Sequence, residues 1–445
     1  MTAPAQAVRI RLSDFTSVPM RAFHATWIAF FLCFFAWFAI APLMPYVRDE
    51  LHLTKSQIAL ANVAAVGVTI LARLLIGRLV DQFGPRRTYA GLLFLSSIPV
   101  MSIGLAQTYG QFLIFRLLIG VVGASFVLTQ AHTSSMFAPN VVGTANAAAA
   151  GWGNFGGGVT QMTMPLVIAG VMALGIHEGA WRYAMVLPGV LLIGAGFFYL
   201  RTTQDTPAGN YPEARPVGVG AKGSFLAAAK DPRVFLLALA YGACFGVELT
   251  VNNNAALYFH DRFGLEPGQA AFIAGIHGAM NLFARALGGI AADRTGIAYG
   301  LRGRVVFLST LLAIEGIALV AFAGSGGLAG AITWLVVFSL FVEMGCGATY
   351  AVVPMINRNA VGSVSGIVGA GGNVGAVCFG LLFGGSLAAH EVFLAMGGTA
   401  LVAGLFCLLI RFSDAQETAT RAEIAASLGA RDASDAALAP SAAAE

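Results

Sequence analysis

Ala72-Arg73-Leu74-Leu75-Ile76-Gly77-Arg78-Leu79-Val80-Asp81-Gln82-Phe83-Gly84 has a counterpart half a chain later, Ala284-Arg285-Ala286-Leu287-Gly288-Gly289-Ile290-Ala291-Ala292-Asp293-Arg294-Thr295-Gly296. Both follow Ala-Arg-x-Leu-x-Gly-x-x-x-Asp-x-x-Gly. In each, an arginine inside an otherwise apolar helix stands eight residues before an aspartate at its polar end. At the rise of an α-helix, eight residues span about 12 Å, which sets each guanidinium near the middle of a hydrocarbon layer about 30 Å thick. A charge at that depth is costly unless it meets a partner or faces a cavity. Two of them, at matching places in two halves, point to one central site that receives an anion.

Composition agrees with a membrane setting. Of 445 residues, 58% are hydrophobic and only 10% charged. Mean hydropathy is +0.78, whereas a soluble domain carries about 25% charged residues. The 55 glycines suit close helix packing in lipid. A net charge of +4, without a long basic run bearing aromatics, argues against nucleic-acid binding. Cys33, Cys244, Cys346, Cys378 and Cys407 all lie in apolar segments without a Cys-x-x-Cys pair. They read as packing residues, with no metal or redox role. The first apolar run, from His24 to Val47, is too long for a signal-peptide core and reads as a retained span.

Hydropathy gives twelve spans in two sets of six. Residues 1–23 form a cytoplasmic tail, 24–201 a first six-helix bundle, and 202–230 a Pro/Gly-rich loop with Pro207, Gly209, Pro212, Pro216, Gly218 and Gly220. Residues 231–412 form a second bundle. The Ala-rich, charged tail 413–445 is expected to form at most a short helix and is given no function. With both ends inside, seventeen Lys and Arg fall on the cytoplasmic side against four (Arg48, Lys55, Arg182, Arg262) on the other. That bias predicts two cytoplasmic termini.

The run Gly77 to Arg87 resembles the major facilitator signature after span 2, Gly-x-x-x-Asp-x-x-Gly-x-Arg-Arg, and Gly289 to Gly296 resembles a weaker echo after span 8. The resemblance implies an all-α membrane protein with the major facilitator fold. Its twelve transmembrane helices would form two pseudo-symmetric six-helix bundles that rock about a central cavity. Two glycine-rich runs narrow this. Gly151-Trp152-Gly153-Asn154-Phe155-Gly156-Gly157-Gly158-Val159-Thr160-Gln161 and Gly369-Ala370-Gly371-Gly372-Asn373-Val374-Gly375-Ala376 resemble the paired nitrate signatures of the nitrate/nitrite porter family. They lack the strand–turn–helix context and the Gly-Lys-Ser/Thr ending of a phosphate loop. Helix contact would account for the glycines, but not for an Asn in each half. The chemistry is compatible: nitrate is planar and monovalent, and a guanidinium offers planar, bidentate, permanently charged recognition.

Arg73 and Arg285 are the expected principal ligands. The competing reading is structural salt bridges, yet only Glu248, Glu315 and Glu343 lie well inside spans, so partners are scarce. Tyr241, Phe245, Glu248 and Asn252 fall at i, i+4, i+7 and i+11, one stripe of span 7. By resemblance the Tyr241 hydroxyl bonds the anion and Phe245 walls it, with Phe126 of span 4 as the opposite wall and Tyr350 of span 10 nearby. Phe126, Thr129, Gln130 and Thr133 share one face. Asn154 and Asn373 are candidate anion or inter-helix donors. For proton coupling, Glu248 is the expected carrier, and Arg116 resembles a span-4 motif of proton-coupled facilitators. Glu343 is a weaker candidate, Glu315 is expected to pack within span 9, and His132 and His277 read as packing residues. Asp81, Arg86, Arg87 and Asp293 are expected to form a cytoplasmic gate rather than touch substrate.

The expected function is secondary active transport of nitrate or nitrite across the cell membrane by alternating access. Proton symport is favoured over nitrate/nitrite exchange. Another small monovalent anion such as formate, or a phosphorylated organic acid, is the competing cargo. His-Glu-x-x-His, Gly-x-Ser-x-Gly and clustered His/Cys are all missing from the sequence, which argues against an enzyme. No cofactor is expected, and the working unit is expected to be a monomer.

Overall fold

The computed structural model describes residues 6–216, 224–265, 267–383 and 385–438. Eleven helices are long and apolar enough to cross a membrane. One of them, Ile273–Ala323, is two crossings joined at Gly300, whose φ of 73° breaks the helix. The described residues thus make twelve crossings, numbered here in order as spans 1 to 12, with span 7 at Pro232–Phe263, spans 8 and 9 before and after Gly300 in Ile273–Ala323, and span 10 at Leu328–Ile356. Span 1 runs Val18–Phe38, earlier than hydropathy predicts. Pro19 sits in its first turn, where a missing N–H is harmless. Past Phe38 the chain turns through Pro42 into a separate short helix, Met44–Leu51. Of the expected loop, Gly218, Gly220 and Lys222 lie outside the described residues.

Three spans position the first arginine. Span 2, Lys55–Phe83, opens on a capping box in which Thr54 accepts from the Gln57 N–H and Gln57 accepts from the Thr54 N–H. Span 4 is interrupted: Tyr109–Gly120 gives way to a 3₁₀ turn, Val121–Ala124, before Ser125–Met136. The tighter turn loosens the regular backbone ladder and presents the Gly123 carbonyl sideways. Span 11, Val361–Phe383, carries the second glycine-rich run.

The halves meet along two pseudo-symmetric crossings, span 2 on span 11 and span 5 (Val142–Ala173) on span 8. Glycines set both. A Cβ on Gly366 would sit 2.6 Å from the Arg73 carbonyl oxygen and 3.2 Å from Gly77 Cα. A Cβ on Gly289 would sit 2.5 Å from the Gly143 carbonyl oxygen. Small residues let backbones touch, which is how helices gain packing energy in lipid. Beyond the arginines span 11 lies on span 7 instead, where a Cβ on Gly371 would meet the Ala238 carbonyl at 2.5 Å. The two halves are therefore pressed together from the level of the arginines to the end that bears Asp81 and Asp293.

The tail forms a helix, Asp414–Leu438, longer than expected. Both Glu417 carboxylate oxygens accept from the Leu301 N–H at 3.1 Å, capping the crossing that restarts after Gly300. Arg421 donates to the Tyr299 carbonyl at 3.2 Å, and Glu423 pairs with Arg358.

Replacing Gly366 by Val should prevent the span 2–span 11 crossing from closing. A reporter cysteine at Val80, buried here, should then label several-fold faster with a water-soluble maleimide. Gly158→Ala in span 5 is the matched control, because its Cβ meets nothing within 4 Å. Equal labelling in the two variants would contradict the role given to the crossing.

Candidate functional site

Arg73 is fully buried. Its Nε donates to the Gly123 carbonyl at 3.2 Å, and Nη1 donates across the half-boundary to the Gly369 carbonyl at 2.5 Å. The Phe126 and Phe245 rings lie 5.1 and 5.4 Å from its Cζ, as cation–π neighbours. Tyr241 stacks on Phe245 at 5.0 Å and on Phe126 at 5.7 Å, and Tyr350 stands edge-on to Phe126 at 4.8 Å. The result is an aromatic box around one cation. Glycine makes room for it: a Cβ on Gly372 would lie 2.6 Å from the Tyr241 ring, and one on Gly369 would lie 3.4 Å from Arg73 Cδ. Among the described residues no carboxylate pairs with Arg73, and its Nη2 has no partner. The Tyr241 hydroxyl and both polar atoms of the Asn373 amide are also buried without partners. Three kinds of donor (guanidinium, phenol and amide) are thus held dry in one neighbourhood. Burying such groups unpaired is expensive unless a ligand satisfies them.

Arg285 is equally buried but differently served. Its Nη2 contacts both Glu248 and Glu343, the latter at 2.9 Å, and Nε donates to Glu343 Oε2 at 3.1 Å. Glu248 Oε1 accepts from Asn281 Nδ2 at 2.9 Å and from Asn154 Nδ2 at 3.4 Å. Acidic partners are scarce in the sequence, yet two of the three are turned on this guanidinium. The picture of two equivalent bare cations is amended accordingly: Arg73 is bare and Arg285 is doubly paired. The two clusters are joined through span 7: Phe245 lies against Arg73, and Glu248, one turn further on, pairs with Arg285. Each arginine meets the Gly–Asn run of the opposite half: Arg73 touches Gly369, while a Cβ on Gly151 would lie 3.6 Å from Arg285 Cβ.

The sequence profile of the Major Facilitator Superfamily matches residues 26–361. The chain belongs to that superfamily. It is 41% identical over 385 residues to "High affinity nitrate transporter 2.5" of Arabidopsis thaliana, covering 85% of this chain and 76% of that one. It is 40% identical to "Nitrate transporter 2.1" of Chlamydomonas reinhardtii, covering 81% and 68%. It is 30% identical to "Nitrate/nitrite transporter NrtP" of Nostoc punctiforme, covering 87% and 91%. These relatives set it in their family within the superfamily. Among solved structures, the E. coli fucose:proton symporter superposes with a TM-score of 0.67 at 14% identity, over 89% of this chain and 100% of that one.

The facilitator's expected gate residues divide. Asp81 accepts from the Gly362 N–H (2.9 Å), the Ser363 N–H (2.8 Å) and the Ser363 hydroxyl (2.5 Å), at the start of span 11. Asp293 repeats this on span 5, accepting from the Gly143 N–H (3.1 Å), the Thr144 N–H (2.6 Å) and the Thr144 hydroxyl (2.8 Å). A carboxylate on a helix N-terminus meets free N–H groups and the positive end of the dipole. Both bonds cross between halves. Arg86 does not: its guanidinium donates to the Leu200 carbonyl, within its own half. Arg87 is exposed. The cross-half lock is therefore made by the two aspartates, with Arg304 pairing Asp293 at 3.1 Å.

Other expectations scatter. Arg116 donates to Asn62 Oδ1 at 3.0 Å within the first half, away from the carboxylates of the second. Gln130 donates to the Asn146 carbonyl at 3.2 Å, and Thr129 pairs with the Tyr89 hydroxyl at 3.0 Å, so of that face only Phe126 reaches the box. Asn252 is exposed. His132 bonds Tyr199 and the Gln204 carbonyl, as a packing residue does. Sequence reasoning missed Asn281, Ser363, Thr144 and Arg304. Signals existed for three of them: Asn281 stands four residues before Arg285, in the turn that precedes its helix, and Val-Gly-Ser/Thr opens both glycine-rich spans (Val142-Gly143-Thr144, Val361-Gly362-Ser363).

The asymmetry has a stability consequence. Arg285→Gln strands two buried carboxyl groups and should cost about 3–5 kcal/mol, seen as a lower melting temperature in detergent. Arg73→Gln strands none and should leave the melting temperature unchanged or raise it. Equal destabilisation by both substitutions would contradict the partner assignments.

Proposed function

We propose that this facilitator carries nitrate or nitrite across the cell membrane by alternating access, with the anion seated on Arg73 inside the box of Phe126, Tyr241, Phe245 and Tyr350. One observation carries the reading: a fully buried guanidinium that faces aromatic rings instead of an acid, with Nη2, the Tyr241 hydroxyl and the Asn373 amide all unpartnered. A planar anion of one charge satisfies all three donors and neutralises the cation in a single step. The aromatic walls exclude water and a bulky carboxylate alike. The nitrate and nitrite transporters to which the chain is similar support the same cargo.

Asp81 and Asp293 close one side of the path, which the Lys/Arg bias assigns to the cytoplasm, with both termini there. In this state the protein is closed inward. Loading of the anion allows the helix N-termini of spans 5 and 11 to part from their aspartates, and the halves then rock. The two acids on Arg285, Glu248 and Glu343, favour proton symport over exchange. Every proposed ligand comes from one chain, in keeping with a monomeric carrier.

The proposal is tested by initial uptake of labelled nitrate into proteoliposomes. Arg73→Lys keeps the charge but loses the fork, and uptake should fall about 10- to 100-fold, the worth of one or two charge-assisted hydrogen bonds. Nitrite should compete with nitrate more strongly than formate does. Undiminished uptake in the Lys variant would remove Arg73 from the seat. Uptake indifferent to an imposed pH gradient and accelerated by internal nitrite would mean exchange.

A further inference from the structure

Four spans of the second half bring an unusual set of buried groups together. Glu343 of span 10 faces Arg285 of span 8, Glu248 of span 7 and Glu315 of span 9, with Cys346 one turn along its own helix. His277 is the other titratable group nearby, and its Nδ1 is held by Ser339 at 2.7 Å. One guanidinium therefore serves two of the three carboxyl groups. The three are not equally held. Glu248 meets Arg285, Asn281 and Asn154, and Cys346 Sγ lies 3.7 Å from its Oε2. Glu343 has Arg285 as its one donor, through Oε2, with the Glu248 carboxylate as its other close neighbour, and its Oε1 has no partner among the described residues. Glu315 has no partner for either oxygen.

We propose that Glu343, rather than Glu248, is the carboxylate that takes up the coupling proton, and that it does so as it gives up Arg285 when the anion enters. The inference rests on the symport reading above. An arriving anion adds a negative charge to a region where one shared cation already faces two carboxylates. Something negative must be neutralised or leave. Glu248 would have to abandon several donors at once, whereas Glu343 has only one to lose. A proton from the outer side bonds to a Glu343 carboxylate oxygen. The neutral acid releases Arg285, whose freed Nε and Nη2 donors then add to the field that holds the anion beside Arg73. After the halves rock, the anion leaves, the proton departs to inner water, and Glu343 returns to Arg285. Proton and anion thus raise each other's affinity, as linkage requires. Glu248 keeps its donors throughout and acts as a positioning residue that keeps Arg285 aimed.

The test uses the full chain in proteoliposomes containing a pH-sensitive dye, with three readouts: proton entry evoked by external nitrate, net nitrate uptake, and nitrate–nitrate exchange. Glu343→Gln should retain measurable exchange while proton entry per nitrate falls about tenfold or more, the size of an ordinary coupling free energy. Glu343→Asp should restore proton entry, with the pH dependence of uptake displaced from that of the natural protein. Proton entry at the natural ratio in Glu343→Gln would overturn the proposal. So would loss of proton entry in Glu248→Gln with coupling intact in Glu343→Gln. If Glu343→Gln does not reconstitute, Glu343→Asp decides, and a pH dependence identical to the natural protein's overturns the assignment. Nitrate uptake by the natural protein without proton entry would sink the symport reading itself, and this assignment with it.

Discussion

A guanidinium buried in a membrane protein without a carboxylate beside it is the constraint around which the other features arrange themselves. Desolvating such a cation costs several kcal/mol or more even after relaxation. Arg73 recovers part of that through the Gly123 and Gly369 carbonyls and through two aromatic faces. The arrangement leaves one nitrogen for a visitor. It also explains local irregularities that would otherwise look unrelated. The 3₁₀ turn in span 4 offers a carbonyl, Gly369 and Gly372 hollow out span 11, and Gly366 and Gly77 let that hollow approach span 2.

The second arginine shows how a pseudo-symmetric fold can be put to asymmetric use. Arg73 and Arg285 hold matching places in sequence, and each lies on the Gly–Asn run of the opposite half. Only the second half supplies acids. One half thus presents a bare positive seat, while the other holds a cation already engaged by groups that can exchange partners. A site built from two bare arginines would bind anions but would offer nothing to a proton. A site built from two paired ones would have no vacancy for the anion. The closure at the aspartate end is symmetric by contrast, because its task is the same on both sides: a carboxylate on a helix N-terminus holds two helices that must later separate. Polar bonds at a helix end can break and re-form in water, which suits a lock better than interdigitated apolar packing would.

Much of this was legible in the residues. Arg73, Phe126, Tyr241, Phe245 and Tyr350 do converge, because a charge, a stripe and a glycine run each restrict where a helix face can point. The twelve crossings followed from hydropathy, whereas the place of Asp81 and Asp293 on helix N-termini of the opposite half was not legible in their spacing. What sequence could not supply was the rotation of one helix about its axis relative to another. Glu248 and Glu343 lie on different spans, and nothing in spacing says that both turn toward Arg285. Nor could it say that Arg86, five residues beyond Asp81, would bind the Leu200 carbonyl of its own half. Asn154, expected at the anion, is drawn instead to Glu248, since an ionised acceptor outcompetes other partners for an amide donor.

The account's central claim is about where the anion sits, and an experimentally determined structure of the protein soaked in nitrate addresses it most directly. Nitrate is predicted to lie within hydrogen-bonding distance of Arg73 Nη2, with the Tyr241 hydroxyl and the Asn373 amide turned to it and Phe126 and Phe245 on either side. Nitrate bound elsewhere, or an Arg73 found paired with a carboxylate when nitrate is present, would contradict it.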